Sequence, residues 1–188
     1  MKKRTTIRIS AFLLCLCCAF FTSCKEDDGK GYVFGYDISS NPGSLDPQYA
    51  SDRESYLIIG SVFEGLFRIG ADGNAEKAMA ESYTVSDDGL TYNFKLKQDR
   101  YWTDVNGYNK KVTAADFVFG FRRLFLPETR APKASEYFCI KNSDKINSGE
   151  ITDLSQLGVT AQGDYSLTIE LQYTEPSFAM LLAMPAAM

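Results

Sequence analysis

Two side-chain periodicities follow each other in the middle of this chain, and together they restrict its fold more than any other feature. Tyr92-Asn93-Phe94-Lys95-Leu96 alternates apolar and polar residues, the period of a half-buried strand. Ser86-Asp87-Asp88-Gly89 stands just ahead of it and residues 82–85 come before that, so the Asp-Gly step predicts the tight turn of a β-hairpin. Beyond residue 112 the period changes. Phe117, Phe121 and Leu124 recur at helical spacing with Val118 and Phe125 beside them. Thr113-Ala114-Ala115-Asp116 has the form of a capping box, which satisfies amides left over at a helix start. A hairpin feeding an amphipathic helix makes the fold class mixed α/β, with antiparallel hairpins set between helices.

The rest of the chain is read against that centre. Residues 32–38 are rich in aromatic and β-branched side chains and predict a strand, and residues 39–47 carry turn chemistry in Asn41-Pro42-Gly43 and Asp46-Pro47. Residues 52–66 have helical spacing, with Ile58, Val62 and Leu66 on one stripe and Leu57 beside it. Residues 66–69 predict a short strand running into the turn Ala71-Asp72-Gly73-Asn74. Trp102 is expected in the core, packing a hairpin against its neighbour, and residues 104–111 are expected to form a polar loop. Residues 157–160 and 167–171 predict strands, and Pro176 opens a last helix that buries Phe178, Leu181 and Leu182. The sequence closes on an apolar run, 179–188, with no polar stop, from which a longer parent chain is expected.

The first residues form an address. Lys2, Lys3, Arg4 and Arg8 precede the apolar run 11–21, too short to span a bilayer, which needs roughly 20 apolar residues. Positive start and short apolar core are the parts of a secretory signal. It ends in Phe21-Thr22-Ser23-Cys24, which resembles a bacterial lipobox; on that reading residues 1–23 are removed and Cys24 carries lipid that ties the protein to the membrane. The alternative is an ordinary signal peptide with a chance cysteine. Residues 24–31, charged and glycine-containing, read as a flexible tether. Of five cysteines, Cys15, Cys17 and Cys18 leave with the signal and Cys24 is taken by lipid, so Cys139 has no internal partner and the fold rests on its hydrophobic core.

Composition then excludes chemistry. The sequence has no histidine, and its CxxC spacing, Cys15 to Cys18, falls within the signal, so zinc, haem and Ser-His-Asp sites lack their usual groups, and neither a metal nor another cofactor is expected. Asp27/Asp28 and Asp87/Asp88 lie in the tether and the hairpin turn, where solvated charge is their reading. Gly29-Lys30-Gly31 precedes a strand instead of joining strand to helix, which disfavours a phosphate cradle. Four of the 20 Lys and Arg residues fall in the first 23, whereas all 24 Asp and Glu lie beyond. The exported part is therefore acidic, and no nucleic-acid partner is expected. The chain is not read as an enzyme.

What remains is a string of motifs in a fixed order. Ser44-Leu45-Asp46-Pro47 is followed by Val62-Phe63-Glu64-Gly65-Leu66 and Ala80-Glu81-Ser82-Tyr83. After the hairpin sequence come Tyr101-Trp102-Thr103-Asp104 and Val112-Thr113-Ala114-Ala115-Asp116-Phe117-Val118-Phe119. This series, over residues 32–188, resembles the extracytoplasmic solute-binding proteins of the peptide, opine and nickel class (solute-binding protein family 5), and among them the oligopeptide-binding proteins.

The resemblance implies a two-lobed periplasmic-binding-protein fold, a clamshell whose lobes close on ligand about a hinge. It implies residues 32–63 as the first segment of the large lobe, residues 64–188 as a smaller accessory domain, and the other lobes outside this sequence. It implies an oligopeptide ligand, ABC permease and ATPase subunits as partners, and a place outside the cytoplasm at the membrane. Ser51, Asp52 and Arg53 would line the cleft, where an acidic residue attracts ligand positive charge, and Lys133 stands where some relatives have a tyrosine near the ligand. Asp52 has a second reading from the residues alone, a helix N-cap. Other solutes, such as a nickel complex or oligosaccharide, and a sensor or adhesin role on the same fold, stay open as alternatives.

Overall fold

The backbone is described for Gly35 and residues 37–188 of a computed structural model of the chain. The expected signal, Cys24, the tether and most of the strand expected over 32–38 lie outside the described residues. Residues Ile38–Met188 hold together as one unit.

That unit begins with an irregular run through Asp46, then helix α1 (Arg53–Val62). α1 turns a different face inward from the one its apolar spacing predicts. Ser55 and Ile59 are buried, whereas Val62 is 73% exposed and Leu66 lies beyond the helix end. The buried face is the one held from outside the helix: Ser55 accepts from the Ser44 amide at 3.2 Å, and Asp52 caps the same turn by accepting from the Ser55 amide at 2.8 Å.

Strands β1 (Phe67–Ile69) and β2 (Ala75–Lys77) pair as a short antiparallel hairpin, with Asp72 accepting from the Asn74 amide at 3.0 Å in the turn. β3 (Ala80–Val85) and β4 (Thr91–Leu96) are the hairpin that the alternating sequence predicts, with Tyr83 opposite Phe94 and Val85 opposite Tyr92. Gly89 closes its turn at φ 72°, the left-handed region where a side chain is strained. β5 (Tyr101–Thr103) and β6 (Asn109–Lys111) then form a separate two-stranded ribbon, so part of the expected polar loop is strand. The ribbon also overturns the core expectation for Trp102. With no third strand among the described residues to cover it, every residue of both strands is exposed, and Trp102 retains 37% of its surface. Its ring meets Phe63 edge-on at 6.3 Å.

Helix α2 (Ala114–Phe125) starts with the expected capping box: Asp116 accepts from the Thr113 amide at 2.7 Å and its own amide is covered by the Thr113 side chain. A 3-10 turn (Ala134–Tyr137) and the short α3 (Ser143–Asn147) follow. β7 (Val159–Ala161) and β8 (Ser166–Glu170) complete a four-stranded antiparallel sheet in the order β3-β4-β8-β7. Its inward face carries Phe94, Leu96, Val159, Leu167 and Ile169, and α2 lays Phe117, Val118, Phe121, Leu124 and Phe125 against the same core. The outward face is polar, and Thr168 donates to Asn93 across it at 2.8 Å. Fully burying one such apolar side chain stabilises by about 1.5–3 kcal/mol, so this layer dominates the fold.

α4 (Phe178–Leu181) is shorter than the spacing predicts, but Phe178 and Leu182 are buried as expected. Tyr137, fully buried, donates its hydroxyl to the Leu181 carbonyl at 2.9 Å. The final apolar run is covered: Ala183, Ala186 and Ala187 are buried, and the 3-10 turn Pro185–Ala187 packs against α1 and α2.

Candidate functional site

The residues singled out from sequence gather at the N-terminal end of α1. Ser51 and Arg53 are exposed there, with Asp52 between them as the N-cap. Asp52 is fully engaged: Oδ1 accepts from the Ser55 amide at 2.8 Å, and Oδ2 accepts from the Ser55 hydroxyl at 2.6 Å and the Gly43 amide at 3.1 Å. Those bonds, the one from the Ser55 side chain foremost, hold its carboxyl below the usual aspartate range. Lys133 comes from the loop ahead of the 3-10 turn and donates to Glu136 at 2.6 Å. That bond raises its ammonium pKa, and a smaller influence comes from Tyr56 in the first turn of α1.

A second feature is a cleft of about 630 Å³ on the other side of the Asp46 turn. Val62, Phe63, Trp102, Phe119 and Met188 give it an apolar wall, and Asp46, Gln48 and Arg123 give it a polar floor. Phe119 is 70% exposed in this wall. None of Ser51, Asp52, Arg53 or Lys133 lines it.

Arg123 is not among the residues that the sequence singles out. It donates from Nη1 to Asp46 Oδ1 at 2.9 Å and to Gln48 Oε1 at 3.0 Å, and from Nη2 to Asp46 Oδ2. Its guanidinium also lies over the Tyr49 ring at 5.8 Å. Gln48, buried, donates onward to the Gly120 carbonyl at 2.6 Å. The Arg123 hydrogen bond is the main reason the Asp46 carboxyl sits below its ordinary range. A signal was present: Asp116, Gly120 and Arg123 recur at helical spacing on the face of α2 opposite its buried stripe, with Phe119 beside them.

The arrangement can hold a ligand, and it offers little for transforming one. Cys139 is buried and desolvation raises its thiol pKa to about 11, far from a thiolate nucleophile. Among the described residues no group of three or more His, Cys, Asp and Glu side chains converges as a metal site would require.

Comparison with known proteins agrees with this reading. Residues 74–188 match the model of bacterial extracellular solute-binding proteins, family 5, middle region. The dipeptide-binding protein of Lactococcus lactis subsp. cremoris is 35% identical over 96% of this chain and 31% of its own length. The Escherichia coli protein named "Probable deoxycholate-binding periplasmic protein YgiS" is 35% identical over 81% of this chain and 28% of its own length. The solved structure of Listeria monocytogenes OppA bound to peptide superposes with a TM-score of 0.75 at 32% identity, covering 80% of this chain and 29% of that one. The chain therefore spans about a third of the length of the curated relatives it matches. Those relatives carry the periplasmic-binding-protein fold, and the family binds solutes and does not transform them. On the match over residues 74–188, the chain belongs to family 5 of the bacterial extracellular solute-binding proteins.

Proposed function

We propose that the protein carrying this chain captures oligopeptides outside the cytoplasmic membrane and delivers them to the permease and ATPase subunits of an ABC importer. The observation that carries this reading is the likeness to a peptide-bound relative over 80% of the chain. Peptide recognition by an extended main chain suits such a role, because backbone hydrogen bonds supply affinity while roomy wet pockets tolerate varied side chains. In this reading residues 32–63 open the large lobe and residues 64–188 form the accessory domain. Ser51, Asp52 and Arg53 face the ligand with Lys133 nearby, and lipid on Cys24 tethers the protein to the membrane.

A thermal-shift screen tests the ligand class, since a solute that binds only the native state raises its melting temperature. Peptide pools are expected to raise it; pools that leave it unchanged contradict the reading. A second reading has its own support, because a deoxycholate-named relative is as similar as the dipeptide-binding one and the cleft is walled by apolar side chains. Deoxycholate belongs in the same screen, and a shift with it alone favours that alternative. Fatty-acid analogue labelling in a bacterial host tests the anchor: label is expected in the wild type and lost in Cys24→Ala.

A further inference from the structure

A continuous line of polar contacts runs from α2 to the N-terminal end of α1. Arg123 holds Asp46 by two bonds, one of them 2.9 Å from Nη1 to Oδ1. The Asp46 amide donates to Ser44 Oγ at 3.1 Å, and the Ser44 amide donates to Ser55 Oγ at 3.2 Å. The Ser55 hydroxyl in turn donates to Asp52 Oδ2 at 2.6 Å. Gln48 locks the starting point, because it touches Arg123, takes a 3.0 Å bond from its own amide to Asp46 Oδ1, and reaches the Gly120 carbonyl. The far end is equally tight. A Cβ built on Gly43 would lie 2.7 Å from Asp52 Oδ2, so a side chain there would displace the carboxylate from its bonds.

We infer that Arg123 is a positioning residue for ligand capture: through Asp46, Ser44 and Ser55 it fixes where Ser51, Asp52 and Arg53 stand. The inference rests on the ligand-facing reading of those three residues given above. Geometry supports a relay in place of a set of separate bonds. Ser44 and Ser55 each accept one contact and hand on another, and Ser55 is buried, so the line has few competing partners in water. Arg123 lies 77 residues from Asp46 in sequence, and their pair ties the turn ahead of α1 to the family-matched body. An arginine fork suits this task because its planar donors fix a carboxylate in direction as well as distance.

The test uses the full-length protein that carries this chain, with Asp46→Asn, Arg123→Met, the double variant and Gly43→Ala, read by residue-resolved hydrogen exchange and by calorimetry with trialanine and trilysine. Exchange at the Gly43, Ser44 and Ser55 amides is expected to speed up at least about tenfold in each single variant, while the Phe94 and Ile169 amides keep their wild-type protection. The double variant should match the worse single one, as members of one line do. Both peptides should bind about tenfold more weakly at temperatures where every variant is fully folded. A merely structural role would lower the melting temperature and slow no binding. Unchanged exchange at Ser44 and Ser55 overturns the relay. Faster exchange with unchanged peptide affinity overturns its positioning role. Should the wild type bind neither peptide, the peptide reading itself fails, and the exchange data alone decide the relay. Gly43→Ala keeps the Asp46–Arg123 pair intact and disturbs only the far end, so its effect separates the relay from loss of the ion pair.

Discussion

The sheet with its covering helix and the segment that runs ahead of it are attached by opposite means. Phe94, Leu96, Leu124, Phe125, Leu167 and Ile169 are all at 2% exposure or less and meet in one apolar layer. Residues 43–55 bring Ala50 to the body as their main buried apolar side chain, and otherwise hold on by Asp46 and Gln48. Apolar contact is non-directional, so the first region has many small contributions that can adjust around a change. Hydrogen bonds to charged groups are directional and few, so the second region depends on each member. The comparison teaches that one compact unit can combine a robust frame with a segment whose position is set, and can be altered, residue by residue.

The largest effect expected is in the frame. Phe125→Ala leaves a cavity at a fully buried position and should cost about 3–5 kcal/mol in urea unfolding, with the whole unit melting earlier. A loss below about 1 kcal/mol would mean that the layer between α2 and the sheet is not the main support.

Next comes the polar attachment. Asp46→Ala should cost about 2 kcal/mol, the scale of a hydrogen-bonded charged group in a partly exposed site. Its pH dependence follows from the lowered Asp46 carboxyl. A group whose folded pKa lies below its unfolded one contributes stability above the unfolded value, about 3.9, and loses it as pH falls through the folded value. The wild-type segment should therefore loosen below about pH 4, and Asp46→Asn should shrink that step to the part set by Asp52, whose carboxyl is also held low. Trp102 is the only tryptophan in the sequence and its ring meets Phe63 just past α1, so its fluorescence is a local reporter of this change.

Smaller effects sharpen the frame locally. Gly89→Ala places a side chain at φ 72° and should cost about 1–2 kcal/mol. Thr113→Ala removes one half of the α2 capping box and should cost about 1 kcal/mol. Both are read by thermal unfolding, and both should leave Trp102 fluorescence in the folded state unchanged. Last, the buried Cys139 should resist a thiol reagent at pH 8 in the native protein and react once urea unfolds it, because its thiol pKa of about 11 leaves little thiolate.

Legibility in the sequence divides along the same line. The frame was readable because its signals are local: Phe94 and Leu96 alternate with Asn93 and Lys95, and Phe117, Phe121 and Leu124 share a helical stripe. Gly89 and the Thr113–Asp116 pair announce their turn and cap from within a few residues. The attachment was not readable, because Asp46 and Arg123 meet across 77 residues and neither names its partner. α1 misled for a related reason. Its apolar residues Leu57, Ile58 and Val62 suggest one face, yet the buried face is the one that carries Ser55, and periodicity does not register a buried serine. Trp102 misled because burial depends on a third strand, and the ribbon of β5 and β6 has none among the described residues. The positions proposed to face ligand came from family resemblance, not from any local pattern.

The division between frame and segment is tested most directly by native-state hydrogen exchange on the wild-type chain in increasing urea. The Phe94 and Ile169 amides should exchange only through global unfolding, with a steep dependence on urea. The Gly43, Ser44 and Ser55 amides should exchange through a smaller opening, at least about 1.4 kcal/mol easier, with a shallow dependence, and more easily still below pH 4. One common exchange free energy for both sets at neutral and acid pH would contradict the account, because it would mean that the segment and the frame are a single cooperative structure.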